Sequence, residues 1–165
     1  VVQHSETTVS SLDLAGKIHF FPNGFEISGN NAVTGTGTIV TGNGKSIEIS
    51  GNQDLNANLL ALRWPSQLPS GGNPRIRIQG NSRVTGLILA GQDVDIQGNF
   101  TLNGMIVAYN GDVHIQGNRR ITYNPSGLTL PGLQSWLSPL TPPSGPGTLG
   151  IVPGQPIQIL SWQRL

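Results

Sequence analysis

The sequence predicts an all-β protein wound as a right-handed parallel β-helix, a β-solenoid with three short strands per coil of about 18–19 residues and about six coils. Three observations predict it. The dipeptide Gly-Asn recurs at 29–30, 51–52, 80–81, 98–99 and 117–118, in steps of 22, 29, 18 and 19 residues. Each copy closes a similar alternating phrase: FEISGN, IEISGN, IRIQGN, VDIQGN and VHIQGN. Finally, 23 Gly and 12 Pro in 165 residues leave little room for long helices.

Taken in chain order, residues 1–15 are polar with scattered Val and Leu and read as a capping strand. Residues 16–124 are the solenoid, opening at 16–20 (GKIHF). Within each phrase, period-two alternation marks a strand with one buried face. Phe25/Ile27, Ile47/Ile49, Ile76/Ile78, Val94/Ile96 and Val113/Ile115 point inward, and Glu26, Glu48, Arg77, Asp95 and His114 point outward. Gly and Asn then suit the left-handed backbone of a sharp corner. A second strand follows (AVTG, DLNA, RVTG, TLNG, RITY), with Val33, Leu55, Val84, Leu102 and Ile121 inward. A third segment completes the coil: TIVT, LLAL, LILA, MIVA. The two longer steps read as coils carrying loops, at 41–44 and around 65–74. Stacked coils bury the face that one coil cannot, and parallel crossovers favour the right hand. The same dipeptides could close the hairpins of an antiparallel sandwich. Hairpins, however, do not return one phrase in register at a fixed period.

Residues 125–165 hold most of the prolines and end in a plausible strand, 157–162. The third segments 87–90 and 105–108 are apolar on both faces, and such strands are normally covered on both. The Pro-rich C-terminal segment is therefore expected to pack on one face of the solenoid, through Leu133, Trp136, Leu137, Ile157, Ile159 and Trp162. A second domain of a longer parent is the other candidate cover. The tryptophans also have a second reading, as a platform for sugars.

Composition removes several function classes. Charged residues are 10% of the chain and the net charge is +1, so there is no general field for polyanions. Any nucleic-acid binding must rest on a local patch. Without cysteine there are no disulfides, thiolate metal sites or thiol nucleophile. No apolar run approaches the length needed to span a bilayer. The first residues show neither Met nor a signal-peptide pattern, which suggests a processed chain or part of a longer one. There is no P-loop and no dinucleotide fingerprint, and His4, His19 and His114 lack metal-ligand spacing, so neither cofactor nor metal is expected.

The arginines supply the candidate patch. Arg83, Arg119 and Arg120 follow Gly-Asn corners two coils apart, with Arg75 and Arg77 near them. Together these five could grip phosphates, with Tyr109 and Tyr123 as stacking partners. The plainer reading is a solvated corner with scattered charge. Arg77, Asp95 and His114 fall at equivalent outward positions, beside Arg75, Asp93 and Asp112. Such rows normally pair charges down a solvated face. Two carboxylates with a histidine would also suit acid–base work on a polysaccharide, or a calcium ion.

The runs 84–91 (VTGLILAG), 94–99 (VDIQGN), 102–108 (LNGMIVA) and 111–118 (GDVHIQGN), with the exit 121–125 (ITYNP), resemble the β-solenoid region of bacterial PilX-like type IV pilus assembly proteins. The ending 159–165 (ILSWQRL) is similar to the Ser-Trp-Arg-like close of those chains. The resemblance implies a non-enzymatic, extracellular domain of a minor pilin on the cell surface, with other pilins as partners through a hydrophobic N-terminal helix lying upstream. It further implies extracellular DNA as ligand, because a competence-associated member of the family is proposed as a DNA receptor at the pilus tip. The family supplies no DNA-contacting residues, so the arginines rest on repeat geometry alone. An adhesin or spacer, and a polysaccharide hydrolase or lyase, are the alternatives.

Overall fold

A computed structural model describes residues 1–62 and 72–124. The loop expected around 65–74 lies mostly outside these residues. The C-terminal segment 125–165, its packing on one face and all three tryptophans lie wholly outside them.

Fifteen strands follow one another: β1 (Val2–Gln3), β2 (Thr8–Val9), β3 (Leu12–Asp13), β4 (Ile18–Phe21), β5 (Phe25–Ile27), β6 (Val33–Thr34), β7 (Thr36–Thr41), β8 (Ile47–Ser50), β9 (Gln53–Ala61), β10 (Ile76–Gln79), β11 (Ser82–Ala90), β12 (Val94–Gln97), β13 (Phe100–Ala108), β14 (Val113–Gln116) and β15 (Arg119–Tyr123). No helix occurs among the described residues. The strands form a seven-stranded sheet β1-β4-β7-β9-β11-β13-β15, a six-stranded sheet β14-β12-β10-β8-β5-β2 and a two-stranded sheet β3-β6. Every pairing is parallel. Each strand pairs with its counterpart one coil away, which makes a β-solenoid of about six turns and excludes the antiparallel sandwich.

The register is the one the repeat implies. Ile47, Ile76, Val94 and Val113 share one column, and Ile49, Ile78, Ile96 and Ile115 the next. The inward positions Phe25, Ile27, Ile47, Ile49, Ile76, Ile78, Val94 and Ile96 are at most 1% exposed. Each such side chain contributes roughly 1.5–3 kcal/mol through burial. In the last described coil the equivalent Val113 and Ile121 are 43% and 50% exposed, having a described coil on one side only.

Two features differ in detail from the sequence reading. Residues 1–15 are more than a capping strand: β1, β2 and β3 pair in turn with β4, β5 and β6, so they form a coil of their own. Leu12 and Leu14 are its buried contribution to the core. Second, the second and third segments of a coil run together in β9, β11 and β13, each nine residues long. No turn separates the halves. The first coils keep the break, because Gly35 at φ 73° divides β6 from β7.

Candidate functional site

The site begins at the Gly-Asn corner. Gly29, Gly51, Gly80, Gly98 and Gly117 all have φ between 93° and 114°, a region that L side chains rarely adopt. They also stack: a Cβ at Gly51, Gly80, Gly98 or Gly117 would run into the carbonyl oxygen of the glycine one coil below. Backbone conformation and coil-to-coil contact therefore both demand glycine.

The asparagine after each glycine turns to solvent and joins its neighbours in a ladder. Asn30 Oδ1 accepts from the Asn52 backbone N–H at 3.2 Å, and Asn52 Oδ1 from that of Asn81 at 3.1 Å. Asn99 Nδ2 donates to Asn81 Oδ1 at 2.7 Å, and Asn118 Nδ2 to Asn99 Oδ1 at 3.0 Å. Beneath the ladder, the buried Gln53 donates to the Gly29 carbonyl at 2.8 Å and accepts from the Ala32 N–H at 3.0 Å. This corner is cross-tied by amides on both sides, which makes it a rigid polar edge.

Just beyond the ladder, two columns begin the strands of the seven-stranded sheet. Gln53, Ser82, Phe100 and Arg119 share one; Asp54, Arg83, Thr101 and Arg120 share the other. An open groove of ≈ 550 Å³ runs along this edge, lined by the ladder asparagines from Asn52 onward together with Asp54, Arg83, Thr101, Arg119 and Arg120. Arg83, Arg119 and Arg120 thus meet in one groove. Arg83 lies 3.7 Å from Asp54, both side chains being more than half exposed, so that pair holds the arginine weakly. Among the described residues, no carboxylate lies within ion-pair distance of Arg119 or Arg120. Three cations against one anion give the groove a positive balance that the whole chain lacks.

Arg75 and Arg77 are not part of this groove. Both precede the Gly80 corner, and Arg77 lies on β10 in the six-stranded sheet. Arg75 pairs with Glu48 at 3.5 Å. Arg77 sits in register between Glu48 and Asp95 and lines a small separate cavity of ≈ 120 Å³ with Glu26, Glu48 and Gln79. Proximity in sequence misleads here because a corner turns the two strands onto different walls. Tyr123 is 67% exposed at the end of β15, three residues beyond Arg120, whereas Tyr109 is at the far end of β13 from the groove.

The carboxylate row has a structural role. Asp93 Oδ1 accepts the backbone N–H of Asp112 at 3.0 Å, and His114 Nε2 is 4.0 Å from Asp112 Oδ2. Neither Asp93 nor Asp112 lines either cavity. Among the described residues, no group of three or more His, Asp or Glu side chains is arranged to hold a metal ion.

The asparagine ladder is the component that sequence reasoning passed over. Five identical residues one coil apart were the available signal, since identical amides in register bond to one another. Arg119 carries a similar lesson. On an alternating strand Arg120 shares a column with Arg83, and Arg119 falls in the column of the buried Gln53, Ser82 and Phe100. Arg119 is nonetheless exposed in the last described coil and lines the groove beside Arg120.

Fold and edge together define a class: a parallel β-solenoid with an amide-laddered, locally basic corner. Comparison with protein-family models, with curated proteins and with solved structures finds no match to this chain.

Proposed function

We propose that this solenoid is a non-enzymatic binding module that takes extracellular DNA along its asparagine edge, as the surface-exposed part of a type IV pilus minor pilin. The observation that supports the DNA reading is the gathering of Arg83, Arg119 and Arg120 into one groove walled by amides. Guanidinium groups bind phosphate oxygens in forked pairs, and amides add hydrogen bonds to phosphate, sugar and base edges. The pilus setting rests on the likeness of roughly 76–125 and 157–165 to PilX-like chains. In that setting the partners are other pilins, joined through a helix upstream.

Three arginines make a modest site, so binding should be weak and salt-sensitive. For a single strand the logarithmic salt slope should be about −2 if all three engage phosphates. The test is a salt titration with single- and double-stranded DNA, run beside an Arg83/Arg119/Arg120→Ala triple variant and Asp54→Asn. The triple variant should abolish binding. Asp54→Asn, which frees Arg83, should tighten it several-fold at low salt. Absence of binding by the wild type at low salt, or a triple variant that binds equally well, overturns the reading.

A second reading as an adhesin has its own support. The ladder presents neutral hydrogen-bonding amides from five coils, which suits sugar hydroxyls. Glycan binding that is indifferent to salt and to the triple variant would favour it.

A further inference from the structure

We propose that His4 and His19 form a proton-dependent latch that fastens the opening coil onto the rest of the solenoid. His19 lies on β4 and is 4% exposed. Its Nε2 is 3.0 Å from the Leu14 carbonyl oxygen, and its Nδ1 is 2.9 Å from His4 Nε2. His4 Nδ1 is 3.5 Å from Glu6 Oε1. The two imidazole centroids are 5.2 Å apart with planes inclined by 21°, so one ring radius at each end accounts for the remaining distance. The rings therefore meet edge to edge, nearly coplanar, in the geometry of a linear N–H···N bond. The face of His4 lies on Phe21, with centroids 4.2 Å apart and planes 5° from parallel.

The network assigns the protons. A carbonyl oxygen only accepts, so His19 Nε2 carries a hydrogen. Neutral His19 then has a bare Nδ1, which must accept from His4 Nε2–H. His4 Nδ1 is left facing the Glu6 carboxylate, another pure acceptor. One further proton, on His4 Nδ1, satisfies all four groups and places an imidazolium against both Glu6 and the face of Phe21. Without it, a lone pair opposes a carboxylate. A metal between the rings does not fit, because two nitrogens each ~2.0–2.1 Å from a tetrahedral zinc are separated by more than 2.9 Å.

The charged groups on the surrounding elements are few. Asp13 ends β3 and Lys17 lies on the turn before β4; Asp13 Oδ1 accepts from the Ala15 N–H. Glu26 on β5 accepts from the Thr8 hydroxyl. β7, on the far side of β4, carries no charge. Among the described residues, Glu6 is the one carboxylate within ion-pair distance of either ring.

The first coil is where a latch has most effect. β1, β2 and β3 are two residues each and each pairs on one side only, so few backbone bonds hold the coil. Its release bares the β4 edge and Phe21. The Glu6 carboxyl is held below its ordinary range by hydrogen bonding from its own backbone first and from His4 second. A lowered folded pKa contributes stability above the unfolded value, and that stability is lost as pH falls through the folded one. Loss of the Glu6 carboxylate therefore weakens docking from the acid side.

Hydrogen exchange of the full chain, corrected for intrinsic rate and referenced to β12, tests this across pH. The His4, Leu12 and Leu14 amides, bonded to Phe20, Ala32 and Thr34, report the docked coil. Their protection should fall as pH drops through the carboxylate range, where Glu6 loses its charge. Glu6→Gln should remove that fall, and His4→Gln, which keeps a donor but offers Glu6 no ring nitrogen, should shrink it. Flat protection in the wild type overturns the latch. So does an unchanged profile in His4→Gln, or a profile that disappears with a chelator, which would assign the link to a metal.

Discussion

The two bends of a coil solve the same problem differently. At the Gly-Asn corner the residue is glycine in all five repeats; each has a positive φ, and from Gly51 onward a carbonyl from the coil below occupies the space of the Cβ. At the bend inside the long strands, the column reads Gly37, Ala57, then Gly86, Gly104 and Tyr123. A Cβ at Gly104 would meet the Gly86 carbonyl, yet Ala57 keeps its methyl and is fully buried. The β9–β11 ladder opens there: paired registers resume only at Ile88 and Leu59. Asn58 bridges the gap, its Oδ1 accepting from the Leu87 N–H at 2.9 Å while its Nδ2 donates to Thr38 Oγ1 at 3.3 Å. The corner holds a positive φ in every coil, and that fixes its residue. At the bend Gly86 and Gly104 also have positive φ but Ala57 does not, so that one coil accepts a side chain, with Asn58 taking over the lost backbone bond.

The sharpest way to break this comparison is Gly98→Ala. The new methyl meets an unfavourable φ of 114° and the Gly80 carbonyl at once. The expected loss is about 3–5 kcal/mol, read as a lower urea midpoint, and it is the largest effect among these variants. A loss under about 1 kcal/mol would mean that the corner relaxes as the Ala57 bend does, and the distinction would fail.

Legibility in the sequence follows the same division. The Gly-Asn corners, the inward columns and the alignment of Arg83 with Arg120 could be read because each demands one residue type, or one parity, in every coil. The opening coil could not, because two-residue strands are shorter than the alternation that reveals strands. The continuity of β11 and β13 was hidden because Gly86 and Gly104 look like turn residues, and their φ of 142° and 159° is open to glycine, yet the strand pairing runs straight through them. The His4–His19 contact spans only 15 residues, less than one repeat, because it is diagonal: the register sets His19 opposite Val2, two residues before His4. Asn58 resembles any surface amide until the register places it at the opened ladder.

Asn58→Ala tests the bend from the opposite side. It removes a buried amide and leaves the Leu87 N–H without its acceptor. An unpaired buried donor together with a small cavity should cost about 2–3 kcal/mol. The Leu87 amide should lose protection more than the neighbouring amides of β11, and hydrogen exchange resolves the two. Uniform loss along the strand would mean that Asn58 fills space rather than bridging the ladder.

The smallest effect on stability is expected at the asparagine edge. Asn99 bonds to Asn81 on one side and Asn118 on the other, but in solvent, where water replaces each amide partner. Asn99→Ala should therefore cost no more than about 0.5–1 kcal/mol in the urea midpoint. Its effect on binding should be larger than its effect on folding. If DNA lies along this groove, removing an uncharged donor should lower affinity a few-fold and leave the salt slope unchanged, because no phosphate-bound cation is lost. A changed slope would mean that the ladder acts by positioning Arg83 and Arg120. An unchanged affinity would confine the asparagines to holding the corner, with the arginines alone facing the ligand.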